Sequence, residues 1–155
     1  MGTKVHLSSW FVAALLLTPG CHSNPTAPAP TKAVVTVTVR PSPIAAATAS
    51  VPPHQWEATF EFDLREIAGV GASYEGVQYV VRDAASGTEV LRIPRSSAPP
   101  SVPIVVGTNR ALTVAPGPLR YSLPGGSRRA VLTVTAFVRD AFENQFSVDA
   151  TTNIE

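Results

Sequence analysis

One cysteine, Cys21, and three histidines are all that this chain of 155 residues offers to thiol or imidazole chemistry. A lone cysteine cannot form an internal disulfide, so any fold built after it must hold together by apolar burial. Charged residues make up only 15% of the chain, and the sole basic doublet is Arg128-Arg129. That doublet reads as the solvated start of a strand. Without a basic run there is little to neutralise phosphates, and no nucleic-acid partner is expected. No apolar run reaches the roughly 20 residues that a membrane-spanning helix needs. The G-x-S-x-G, H-E-x-x-H and C-x-x-C patterns are all missing. Gly69-Val70-Gly71 is not followed by the Lys-Ser/Thr of a phosphate loop and reads as a turn or bulge. These absences predict no catalytic residue, no metal, no cofactor and no enzymatic activity.

What the chain does have begins at its start. Lys4 places a positive charge before Leu7–Leu17, a mostly apolar stretch containing WFVAALLL. That is the length of a signal-peptide apolar region. Pro19 stops a helix because it lacks an N–H and clashes with the preceding turn. Gly20 puts no side chain immediately before Cys21. An apolar stretch closed by a small residue and a cysteine resembles the lipobox of bacterial lipoprotein signal peptides, although Thr18 stands where that family usually has Leu. The resemblance implies cleavage between Gly20 and Cys21. It also implies a diacylglyceryl group on the Cys21 thiol, often with a further acyl chain on the new amine. Two or three acyl chains make attachment stable, since each buried CH₂ contributes about 0.8 kcal/mol. The same residues admit other readings: an ordinary leader cut at Ala27-Pro28-Ala29, giving a secreted protein; an exported chain whose cysteine is a free thiol or joins an intermolecular disulfide; and an uncleaved anchor.

His22–Thr31 (HSNPTAPAPT) holds nothing large to bury and reads as a Pro/Ala tether. At about 3.1 Å per residue it spans roughly 30 Å. His22 is read as a linker residue, with no second metal ligand nearby. In lipoproteins of two-membrane bacteria an Asp after the cysteine marks inner-membrane retention. His22 at that place therefore leans to the outer membrane. The expected organisation is a signal peptide at 1–20, the lipidated Cys21 and tether at 21–32, and one domain at 33–155. Loss of Lys4 with the leader leaves 11 basic residues against 11 acidic ones, a mature chain with no net charge.

The domain reads as strands throughout. Val35–Val39 alternates Val with Thr, then Pro41-Ser42-Pro43 stops it. Ala45–Pro53 is small, Pro-flanked and predicted to be a loop. Gln55–Arg65 alternates most clearly: Trp56, Ala58, Phe60, Phe62 and Leu64 on one face, Glu57, Thr59, Glu61, Asp63 and Arg65 on the other. The carboxylates Glu57, Glu61 and Asp63 read as a solvent face rather than a cation or acid/base site. Val77–Asp83, the AASG turn and Thr88–Ile93 make a hairpin, with Pro94–Pro103 a loop after it. Ile104–Val106, Arg110–Val114 and Leu119–Leu123 are short pieces between turns. Arg129–Arg139 is nearly continuous apolar and reads as a central strand buried on both faces. Asp140–Asn144 is a tight turn, and Gln145–Ala150 is the last strand, with Phe146, Val148 and Ala150 alternating. Asp140, Glu143, Asn144 and Asp149 lack the glycine and ligand order of a calcium loop.

About seven to nine short strands with Pro/Gly turns predict an all-β, antiparallel β-sandwich. WEATFEFDL at 56–64 and the late hairpin AVLTVTAFVRDAFENQFSVDA at 130–150 resemble the bacterial immunoglobulin-like or fibronectin-III-like domains that follow lipoprotein leaders. The Cys…Trp…Cys hallmark of immunoglobulin domains is absent. The resemblance implies a non-enzymatic interaction or structural module, held at the cell envelope by lipid on Cys21 and presented to a protein or to a cell-wall or glycan partner. The alternative is a carbohydrate-binding or accessory module of an envelope enzyme, for which Tyr74, Tyr79, Tyr121 and Phe142 are the aromatics expected to be exposed.

Overall fold

A computed structural model describes residues 29–104 and 110–155. The expectations that fall on Cys21, Gly20, His22 and the leader lie outside these residues, as does most of Ile104–Val106. The described chain is all-β, with antiparallel sheets. Its strands are β1 (Val35–Arg40), β2 (Ala46–Thr48), β3 (Trp56–Ala58), β4 (Glu61–Glu66), β5 (Ala72–Asp83), β6 (Glu89–Ile104), β7 (Leu112–Val114), β8 (Leu119–Tyr121), β9 (Ala130–Asp140) and β10 (Gln145–Ile154). They form a four-stranded sheet of order β10-β9-β5-β6 and two three-stranded sheets, β1-β4-β7 and β2-β3-β8.

The alternation in Gln55–Arg65 survives a break. Thr59 and Phe60 interrupt the ladder, so the run becomes β3 and β4, which serve different sheets. Side-chain parity is kept across the break: Ala58, Phe60, Phe62 and Leu64 are buried and Trp56 is half-buried. The Phe62 ring lies edge-on to Tyr74 and Tyr79 of β5, at centroid distances of 6.2 and 6.4 Å. Phe60 meets Tyr79 at 5.6 Å. These rings join the β1-β4-β7 side to the four-stranded sheet in one apolar cluster, which also takes in Leu119 and Tyr121 of β8 and Leu132 and Val134 of β9.

Several elements differ from the sequence expectation. Residues 46–48, expected to be loop, pair with β3 as Ala46↔Ala58, Ala47↔Glu57 and Thr48↔Trp56. A ladder needs backbone groups rather than bulky side chains, and alanines supply those. The segment expected to be a Pro-rich loop continues β6 to Ile104. β6 pairs with β5 alone and lies at a sheet edge, where a residue without an N–H can face outward. β9 is central but buried on one face only: Ala130, Leu132, Val134, Ala136 and Val138 point inward, and the residues between them are half-exposed. β10 runs four residues further than expected, carrying Thr152 and Ile154 into the core.

The strand directions define two poles. The proximal pole carries Ala33, the 66–71 connection between β4 and β5, and the 140–144 turn between β9 and β10. The distal pole carries the 49–55, 84–88 and 122–129 connections. There the Tyr121 hydroxyl donates to the Arg128 carbonyl at 2.8 Å and ties the β8–β9 corner.

Candidate functional site

The proximal pole is built on two buried carboxylates. Residue 66 continues the inward parity of 60, 62 and 64, yet it is glutamate, and it is fully buried. Its oxygens accept from the backbone N–H of Val34 at 3.2 Å, Ala68 at 2.9 Å and Gly69 at 2.9 Å. Gly69 and Gly71 both have φ of 81°, which lets the chain curl over the carboxylate where an L side chain would be strained. The second carboxylate is Asp140. It accepts from the backbone N–H of Phe142 and Asn144, both at 2.9 Å, from Ala33 at 3.4 Å, and from the Asn144 side-chain amide. Burial pushes the Asp140 pKa up, but these donors outweigh it and hold the carboxyl below its usual range. Asp140 is therefore spent on shaping the turn that was expected around it.

Beside the turn lies an open groove of about 610 Å³, with Gly71, Ser73, Glu75, Arg139, Ala141 and Glu143 among its walls. Arg139 bridges Glu75 through Nε and Glu143 through Nη1, the latter at 2.8 Å. Glu75 also pairs with Arg95 at 3.4 Å, and the Arg95 guanidinium stacks over Phe137 at 4.4 Å. The groove thus offers one guanidinium group, Arg139, already paired with two of its carboxylates, Glu75 and Glu143, beside the Asp140 carboxylate spent on the turn. Its Ser73 hydroxyl donates to the Arg139 carbonyl at 3.4 Å. Such a surface can accept hydrogen bonds from a polar partner. Among the described residues no group of three or more His, Asp or Glu side chains is placed to hold a metal ion.

The three carboxylates singled out on the Gln55–Arg65 run are ion-paired. Glu57 meets Arg120 at 2.8 Å, and that hydrogen bond is the chief cause holding its pKa below the usual range. Glu61 and Asp63 share Arg40 at 3.1 and 2.9 Å, and Thr113 donates to Asp63 at 2.6 Å. Asp63 is buried rather than on a wet face, because Arg40 of β1 and Thr113 of β7 flank it. The aromatic expectation is corrected in part. Tyr74, Tyr79 and Tyr121 are all buried, and only Phe142 of that group is exposed. Each tyrosine had fallen at an inward register position, facing the core from β5 or β8.

Four large apolar side chains are strongly exposed among the described residues: Val34 at 49%, Ile67 at 52%, Phe142 at 58% and Val51 at 48%. The first three stand at the proximal pole and Val51 at the distal one. The Ile67 N–H donates to the Val34 carbonyl at 2.9 Å, so those two residues are cross-strand neighbours. The 140–144 turn that carries Phe142 is joined to the same pole through Asp140 and Ala33, and through the Ala141 N–H to the Gly71 carbonyl at 3.2 Å. The sequence had marked none of these three as a group, because they come from three separate connections.

No protein-family model matches the chain. No curated protein matches it either. Solved structures do. A structural genomics target designated SoR45 superposes with a TM-score of 0.57, covering 77% of this chain and 84% of that one at 10% identity. A Bordetella pertussis protein carrying the ApaA designation superposes at 0.56, covering 78% of this chain and 92% of that one at 11% identity. Identities this low speak to the fold alone.

Proposed function

We propose that this chain is an envelope lipoprotein whose domain is a non-enzymatic, immunoglobulin-like β-sandwich held on a Pro/Ala tether and presented to a partner. The sheet connectivity supports the fold half of this reading. If β1 with β2, β3 with β4, and β7 with β8 are each taken as one run that changes sheets, seven runs remain. Three lie on one side and the β10-β9-β5-β6 sheet on the other, the three-plus-four arrangement of sandwich domains with Greek-key connections. The corner tyrosine departs from the immunoglobulin pattern: Tyr121 precedes the β8–β9 corner instead of following it.

The observation that carries the functional half is the double clamp on the incoming chain. Asp140 and Glu66 hold the N–H groups of Ala33 and Val34, so the domain is gripped at one pole and displays the distal connections away from it. Upstream of the clamp stand the tether and a lipobox-like leader ending at Gly20-Cys21. The test is the intact mass and N-terminal sequence of the protein purified from a membrane fraction. A chain starting at Cys21 with added acyl mass is the expected result. A chain starting elsewhere without lipid overturns the anchored reading.

A further inference from the structure

We infer that the proximal pole is a membrane-contacting surface: Val34, Ile67 and Phe142 rest in the interfacial region of the phospholipid bilayer to which the chain is tethered. This inference rests on the lipid-anchored reading above and adds the orientation of the domain.

Three of the four strongly exposed large apolar side chains among the described residues gather at this pole, from three different connections. Exposed apolar side chains brought to one pole of a tethered domain offer it a contact surface. The occupant follows from where the chain leads. Ala33 is bound to Asp140, and Val34 is bound to Glu66 and Ile67, so the route to the N-terminus leaves from within the apolar cluster. Cys21 stands twelve residues before Ala33. A fully extended chain of that length reaches at most about 40 Å. An acylated Cys21 therefore keeps this pole, from which the tether leaves, within about 40 Å of the bilayer. Tethering at that range raises the effective concentration of the surface, so weak apolar contacts suffice. Phe142 suits the headgroup boundary, where aromatic rings concentrate. Lys32 lies at the same pole, with its Nζ 4.9 Å from the Phe146 ring, and it brings a cation to the level of lipid phosphates.

The test uses the full chain, purified from membranes and reconstituted into phosphatidylcholine/phosphatidylglycerol vesicles. Single variants Ile67→Cys and Phe142→Cys carry a nitroxide, and Val51→Cys, at an exposed apolar position of the distal pole, is the control. Melting curves followed by circular dichroism verify that each labelled variant is folded. In the expected result the labels at 67 and 142 are several-fold better protected from a water-soluble nickel relaxant than the label at 51, and collide more often with oxygen. If all three labels behave alike, the inference is overturned. Dipolar broadening between labels at 67 or 142 would likewise overturn it, in favour of a second copy covering the pole. The intact mass of the same preparation separates the two levels. Lipid present with water-exposed labels removes the orientation alone, whereas a chain without lipid removes the anchored reading and the orientation with it.

Discussion

Glu66 is the residue whose environment constrains it most. Its two oxygens serve three backbone N–H groups, and an amide offers only one acceptor oxygen. Glu66→Gln is therefore expected to leave at least one buried donor facing an NH₂ group, at a cost of about 2–3 kcal/mol in denaturant unfolding. Asp140 predicts a pH effect. Its folded pKa lies below the ordinary 3.8. A lowered carboxylate contributes stability that is present above the unfolded value and lost as pH falls through the folded one. Unfolding measured across a pH series should show stability declining below about pH 4, and Asp140→Asn should flatten that acid limb while lowering stability at neutral pH. The inward place of Glu66 was legible from parity, since it follows Phe60, Phe62 and Leu64 at even positions. Its partners were not, because they belong to β1 and to the connection after β4. Of the exposed tips only Phe142 had been expected; Val34 and Ile67 escaped notice because alternation reports which side a strand residue takes and is silent about residues of separate connections.

Among the elements, β5 shows most plainly how local geometry decides pairing. Its registers with β6 and β9 both shift between Tyr74 and Gly76. Gly76 has φ of 154°, and a Cβ there would sit 2.1 Å from the Ser96 carbonyl oxygen, a backbone atom that cannot swing aside. Gly76→Ala is expected to destabilise the domain by about 2–4 kcal/mol, read as a drop in melting temperature, or to prevent folding. The bulge re-aims the strand so that Glu75 reaches Arg139 while Tyr74 and Val77 stay in the core. Strands with strong alternation, such as β4 and β10, were legible because the period of two is a direct image of burial, whereas β9 was read from its continuous apolar and β-branched content, which hid that only one face is buried. β2 and the second half of β6 were not legible. The first is small and the second proline-bearing, and what makes them strands is the partner across the ladder, which sequence does not display.

At the scale of the molecule, the three tyrosines of the chain are all core residues. Burial pushes Tyr74 and Tyr121 up to about 12, and Tyr79 higher still, with Tyr74 adding to that shift. An acid whose folded pKa is raised stabilises the native state below the unfolded value, near 10, and loses that contribution as pH rises toward the folded one. Alkaline titration should therefore show tyrosinate absorbance appearing together with loss of β-sheet ellipticity above about pH 10. Absorbance rising to completion with the fold intact would contradict the burial of these rings. The all-β class and the antiparallel pairing could be read from the sequence, because both follow from strand period and turn chemistry. The order of the strands could not, because it depends on which core faces meet, and β3 and β7 join β8 and β4 through ladders of only three pairs each.

The clamp on Ala33 and Val34 has a mechanical consequence. From the proximal pole β1 runs toward the distal one, and its six register pairs with β4 carry hydrogen bonds perpendicular to that path. A load applied between the N-terminal side and a partner gripping the distal connections pulls β1 along its own axis. The ladder is then sheared as a set instead of being peeled open pair by pair. Behind it, residues 44–46 are bonded to 153–155 at 2.7 to 2.9 Å in a parallel bridge, so the strain passes into β10 before any strand leaves the core.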